Sequence, residues 1–474
     1  MKEVGKMQLR KEEGMQQGNF QNSSKKLKHP PGLYMLFLTE MWERFSYYGM
    51  RALLIIYLST ELLKGGLGFD KNTAALIYGY FTGFVYFTPI IGGYLSDKYL
   101  GQRKAIILGS IIMAIGQFSL FASQTRTFLY IGLGLLIIGN GFFKPNISTL
   151  VGQLYEDGDD RRDSAFTIFY MGINVGAFLA PLVCGTLAEN IFAKRQGEQI
   201  MHYGFKYGFL AAAIGMIFGG ILFTLLAQKY LGDIGKAPVI KTKSVTEKHE
   251  DVNRPLTKQE KNRTAVIFIL TAFVVFFWAG FEQAGSSLTI YTKDYINRNA
   301  FGMEIPVSWF QSLNPVFIVI LAPIVSKIWI SLSKREQGDL KVPTKMALGM
   351  ILLGVGFLLM VGAVLERGSA GDNILVKANL MWLVGAYLLH TLGELCLSPI
   401  GLSMVSSLAP IKYASLLMGV WLMGSFIANI AAGYVASYVE VLGHLQIFGG
   451  IAAISIVLGA VLLVLSKKLV SMME

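Results

Sequence analysis

Between Gly32 and Leu63, an apolar stretch long enough to cross a bilayer carries Glu40, Glu43, Arg44 and Arg51. An ionisable group at a membrane centre costs about 2.5–3.5 kcal/mol on insertion scales, so four cost on the order of 10 kcal/mol unless they pair or face water. At about 100° per residue, with Glu40 set at 0°, Arg44 falls at about 40°, Tyr47 at about 340°, Arg51 at about 20° and Glu43 at about 300°. These residues share one face, and Arg51 lies about 16 Å along the axis from Glu40. A stripe of that length cannot all reach one membrane surface. The chemistry it offers is ion pairing and proton exchange between carboxylates and guanidinium groups along a polar path. Glu40 and Glu43 are close enough to titrate as a pair and not as separate groups.

The elements that must hold such a stripe follow from composition. Of 474 residues, 53% are hydrophobic and only 15% charged, and the mean hydropathy is +0.51, which excludes a soluble globule. Apolar windows fall at 32–62, 73–97, 104–123, 127–153, 164–190, 204–228, 264–290, 306–332, 345–365, 379–407, 412–438 and 444–466, predicting twelve membrane helices. The fold class is therefore an all-α membrane protein. With the N-terminus inside, about 28 of the 42 Lys and Arg fall in the inner tails and loops and about 10 in the outer ones, so both termini are predicted to be cytoplasmic. This distribution also accounts for the net charge of +12 without a nucleic-acid partner. The first 31 residues are polar and hold no secretory signal, leaving the first helix to direct insertion. Cys184 and Cys396 lie inside helices and read as reduced packing residues.

Six windows precede 229–263 and six follow it. That segment is polar, holds nine Lys or Arg together with Pro238 and Pro255, and reads as a cytoplasmic linker. The expected organisation is a tail at 1–31, a six-helix bundle at 32–228, the linker, a second bundle at 264–466 and a tail at 467–474. This is the layout of the major facilitator superfamily, whose substrates bind near the midplane between the halves. The run from Gly92 to Lys104, with Asp97 and Arg103, resembles that superfamily's loop in which an acid caps a neighbouring helix and basic residues hold the cytoplasmic side shut.

Glu40-Met-Trp-Glu43-Arg44-Phe45-Ser46-Tyr47-Tyr48-Gly49 resembles the ExxERFxYYG signature of proton-dependent oligopeptide transporters. The similarity continues through Phe143-Lys144-Pro145-Asn146, the run Phe169 to Gly176 with Asn174, and Phe277 to Gln283 with Glu282. Trp309 to Pro315 with Asn314, and Gly393-Glu394-Leu395-Cys396-Leu397-Ser398-Pro399, complete it. The resemblance implies import of di- and tripeptides with protons across the inner membrane, driven by a proton gradient with no cofactor, by a functional monomer embedded in lipid.

A zwitterionic peptide needs cations, an anion and amide partners on opposing helices. Arg51 and Lys144 are the cations of the first half and Glu282 and Glu394 the anions of the second, while Asn174 and Asn314 can each donate and accept. By resemblance, Arg51 and Lys144 attract the peptide carboxylate, and Glu394 with Asn174 and Asn314 holds the amino end. Lys144 would also serve as the cation of the Glu40, Glu43 and Arg44 cluster, and Lys144 and Glu394 would take part in gating. Glu282 would pair with Arg51, so that protonating Glu282 frees Arg51 for substrate. Tyr47, Tyr48, Tyr86, Trp309 and Trp421 match positions at or near the family's cavity, where aromatic faces tolerate many side chains.

The chain departs from its apparent relatives in three places. Animal members carry a histidine seven residues before the tyrosine matched by Tyr86, whereas this chain has Gly79; His390, one turn before Glu394, reads as a packing residue more than a substitute relay. The linker is too short and polar for the two extra helices of many bacterial members. The stretch 366–377 is only a loop where animal members hold an external domain. Two readings stay open beside the leading one: a relative carrying another small anion or zwitterion, and an uncoupled channel or receptor. A membrane enzyme is disfavoured, since five His and two Cys show no metal-ligand spacing.

Overall fold

The computed structural model describes residues 28–156, 158–159, 161–197, 199–238, 255–300, 302–336, 338–368, 371 and 373–473. Most of the expected N-terminal tail and the centre of the linker, 239–254, lie outside the described residues, as do the side chains of Ser398 and Pro399. Twelve long helices form: α1 Pro31–Ser59, α2 Lys71–Leu95, α3 Gln102–Ala122, α4 Arg126–Gln153, α5 Arg161–Gly185, α6 Phe205–Leu231, α7 Lys258–Phe281, α8 Leu313–Ser333, α9 Val342–Glu366, α10 Leu380–Leu408, α11 Ala414–Ser437 and α12 His444–Met473. Eleven carry a stretch long and apolar enough to cross a membrane; the twelfth, α1, is the one whose four charges lower its apolarity. The face where α1 begins and α12 ends is called near below, and the opposite face far.

Local chemistry sets several helix ends. Asp70 caps α2 by accepting from Thr73 N at 2.8 Å, and Thr257 with Glu260 forms a reciprocal capping box at α7, each satisfying backbone donors that a helix start leaves orphaned. Pro89, Pro145, Pro181 and Pro323 lie inside α2, α4, α5 and α8 and interrupt their hydrogen-bond ladders. Helix α7 breaks at a 3₁₀ turn, Glu282–Gly285, and resumes as the short helix Ser287–Tyr295. Two short hairpins, Lys194–Gln196 with Gln199–His202 and Asn299–Ala300 with Met303–Glu304, decorate the far face.

One large hydrophobic core draws almost wholly on α1 to α6 and a second on α7 and α9 to α12. In the first, α1 is wrapped by α5 and α6, and most of its residues are buried. The two halves meet where α2 packs on α11 and α5 packs on α8. At the first crossing, a Cβ on Gly79 would lie 2.5 Å from the Cα of Gly433, so backbone touches backbone and a histidine there has no room.

Candidate functional site

A cavity of about 620 Å³ lies between the halves. Tyr48 and Arg51 from α1, Tyr86 from α2, Lys144 from α4 and Asn174 from α5 form one wall. The other wall holds Glu282 at the α7 break, Asn314 from α8, Glu394 from α10 and Trp421 from α11. Three of the helix-interrupting prolines, Pro89, Pro145 and Pro181, also line it. Backbone irregularity at membrane depth is tolerated where it faces such a cavity.

Arg51 bridges the walls. Its guanidinium forms a buried ion pair with Glu282 across the interface and donates from Nε to the Tyr78 hydroxyl at 2.6 Å. The remaining α1 charges sit behind the wall. Arg44 binds Glu43 through two hydrogen bonds, the Nη2 contact being 2.8 Å, and lies 3.2 Å from Glu40. Asn140 Nδ2 completes the cluster at 3.4 Å from Glu43. Glu43 is wholly buried and Glu40 and Arg44 nearly so; Arg44 and Asn140 hydrogen-bond Glu43, whereas the second oxygen of Glu40 is buried without a hydrogen-bond partner among the described residues, a costly state for a charged carboxylate.

On the second half, Asn314 Nδ2 donates to Glu394 at 2.7 Å and to Thr391 Oγ1 at 3.1 Å. Asn174 donates to the Tyr170 carbonyl at 2.9 Å, which leaves its side-chain oxygen to accept. The two walls therefore differ in sign: the first presents Lys144 and the edge of Arg51, the second Glu394. Lys144 Nζ stands 4.4 Å over the Tyr86 ring, a cation–π contact in a desolvated setting.

Several expectations meet a different geometry. Lys144 makes no direct ion pair with Glu40 or Glu43 among the described residues, because Arg44 contacts both carboxylates, but it lies near enough to both to interact with them electrostatically. Tyr47 does not line the cavity: it is buried against Phe81 and Tyr48. Trp309 points into α5, donating to the Leu182 carbonyl and Thr186 Oγ1 at 3.2 and 3.1 Å. Arg103 binds the carbonyls of Gly232 and Ile234, both at 2.7 Å, so it fastens the end of α6 within its own half. Among the described residues Asp97 caps no neighbouring helix; it is half-buried in the wide turn Ser96–Leu100 that follows α2. The His390 ring, by contrast, packs as expected, 4.6 Å from that of Phe357 and against Gly356.

Sequence reasoning missed Tyr78, which orients Arg51, and Tyr170, Tyr387 and Trp278, which line the cavity. Tyr78 lies one residue before Gly79, on a helix already singled out, but nothing in its spacing marks it. Ties between the halves gather toward the far face. Lys71 pairs with Asp294 at 2.8 Å, Lys293 donates to Thr60 at 2.9 Å, and Glu189, at the end of α5, accepts from the segment leading into α8.

The comparisons with known proteins agree with this architecture. Residues 103–246 and 236–454 match PTR2, the POT family. The chain is 35% identical to the peptide transporter YePEPT of Yersinia enterocolitica, covering 87% of this chain and 88% of that one. It is 30% identical to a di-/tripeptide transporter of Lactococcus lactis over 94% and 96%. A crystal structure of a peptide transporter of the same family in complex with sulfate superposes with a TM-score of 0.83 at 32% identity, over 94% of this chain and 96% of that one. A twelve-helix chain with a charged first helix and a cavity between two cores thus belongs to the POT family of transporters.

Proposed function

We propose that the chain is a proton-coupled symporter that imports di- and tripeptides by alternating access across the inner, cytoplasmic membrane, with both termini inside. It is a transporter and not an enzyme. The observation that carries this reading is the cavity between the halves, with cations on one wall and Glu394 held by Asn314 on the other. Its volume suits a small ligand, and its two charge patches suit the ends of a zwitterion. The near face is then cytoplasmic, the halves are 32–228 and 264–466, and the stretch 229–263 joins them on the inside. With cross-half ties gathered at the far face, the state described is closed to the outside.

Coupling rests on Arg51. While Glu282 is ionised it holds the guanidinium. When Glu282 takes a proton the pair loses its attraction, and Arg51, still oriented by Tyr78, can receive the peptide carboxylate. A carboxyl group deprived of its cation and kept from water favours the neutral form, so peptide and proton support each other's binding. Lys144 adds positive potential on the same wall. The Glu40, Glu43 and Arg44 cluster is a second place where protons can be held.

Uptake of labelled dialanine into proteoliposomes tests the reading. Accumulation should require an inward proton gradient, and Glu282→Gln should lose gradient-driven accumulation while keeping peptide-for-peptide exchange. Equal uptake with and without the gradient would sink proton coupling.

A further inference from the structure

We infer that Glu189 is the positioning residue that keeps the outer side of the transporter closed, by carrying the start of the α8 segment on its carboxylate. The inference rests on the transport reading only for its consequence for uptake.

Glu189 belongs to the π-helical turn Thr186–Ile191 that prolongs α5, and it is 1% exposed. Its oxygens accept three hydrogen bonds from the other half: Val307 N at 2.8 Å, Ser308 N at 3.1 Å and Ser308 Oγ at 2.7 Å. Val307 opens the turn Val307–Ser312, which runs straight into α8. The carboxylate thus satisfies backbone donors that a helix start leaves orphaned and sits at its positive end. Three further bonds continue the seam: Trp309 Nε1 donates to the Leu182 carbonyl and to Thr186 Oγ1, and Ser312 Oγ donates to the Phe178 carbonyl at 2.8 Å.

The neighbouring backbone is shaped for this contact. A Cβ on Gly185 would fall 1.8 Å from Ser308 Oγ, so a glycine is what lets Ser308 reach the α5 end. Separating the halves here strands a buried carboxylate and two backbone N–H groups at the same moment. Unmade bonds to buried charged groups are the costly ones. That makes the contact two-state: it is held whole or given up whole.

Pulsed dipolar spectroscopy on the full chain in lipid nanodiscs tests this without any peptide. Leu63→Cys and Leu375→Cys place spin labels at exposed far-face positions on opposite halves, while Cys184 and Cys396 are buried. Glu189→Ala should raise the population with the longer distance at least threefold over the parent, and Glu189→Gln should raise it less. An unchanged distribution in Glu189→Ala overturns the inference. Should that variant not fold, Ser308→Ala, which removes one of the three bonds, and Gly185→Ala, which pushes Ser308 away, should each shift the distribution in the same direction. No shift in either overturns it equally.

In uptake assays the apparent KM for outside peptide should fall with Glu189→Ala roughly in proportion to the gain in outward-open population, whereas general damage to the fold would lower the maximal rate and leave KM in place. Distances that lengthen in a chain that carries no peptide would keep the latch and sink the transport reading.

Discussion

Lys144 stands over Tyr86 and not beside a carboxylate, which gives it a different standing from Arg51. Among the described residues no carboxylate forms an ion pair with it, so its ammonium is available to a substrate carboxylate. Lys144→Ala should therefore abolish gradient-driven peptide uptake while leaving membrane insertion and monodispersity unchanged; transport at the parent rate would assign the residue to the Pro145 break alone. Helical spacing made Arg51 legible, and motifs resembling the family marked Glu282, Glu394 and the amide Asn314; all four reach the cavity. Aromatic residues were less legible. Tyr47 shares the angular face of Arg51 yet turns into Phe81, and Trp309 turns into α5. The direction of an aromatic side chain depends on which neighbour leaves a gap, and a one-dimensional pattern does not contain that gap. Tyr78 was missed for the same reason.

At the scale of elements, α2 and α11 cross with backbone against backbone. Gly79 and Gly433 face one another, and just beyond them the hydroxyls of Tyr80 and Tyr434 lie 2.7 Å apart. A methyl group added at Gly79 meets backbone that cannot rotate out of the way, and overpacking of this kind typically costs about 1–3 kcal/mol. Gly79→Ala should lower both the thermal unfolding midpoint in detergent and the rate of driven uptake, and Tyr80→Phe, at an exposed position, should change each much less. A parent-like midpoint and rate in Gly79→Ala would show that the crossing loosens freely. Apolar windows located all twelve helices, because membrane-spanning helices need continuous apolar length, but both ends of α7, the start of α8 and the end of α12 fall six or more residues from those expected. The break at Glu282–Gly285 and the π-helical turn at Thr186–Ile191 were not legible, since neither contains a proline.

For the whole molecule, opposed charge on two walls implies that a ligand is read at both ends, at a separation the cavity sets. Free di- and tripeptides should compete for uptake, whereas single amino acids, tetrapeptides and amino-blocked peptides should compete weakly; Glu394→Gln should narrow the gap between blocked and free dipeptides. Equal competition by both in the unmutated chain would defeat the two-ended assignment. The ion pair that spans those walls also bears on how the chain is made. Arg51 and Glu282 are 231 residues apart in sequence, and ribosomes add roughly 5–20 residues per second. During synthesis α1 therefore waits roughly ten to fifty seconds for its anion. Through that interval the newborn first bundle keeps a guanidinium in its open flank, so it must be sheltered by water or by the insertion machinery until the second bundle arrives.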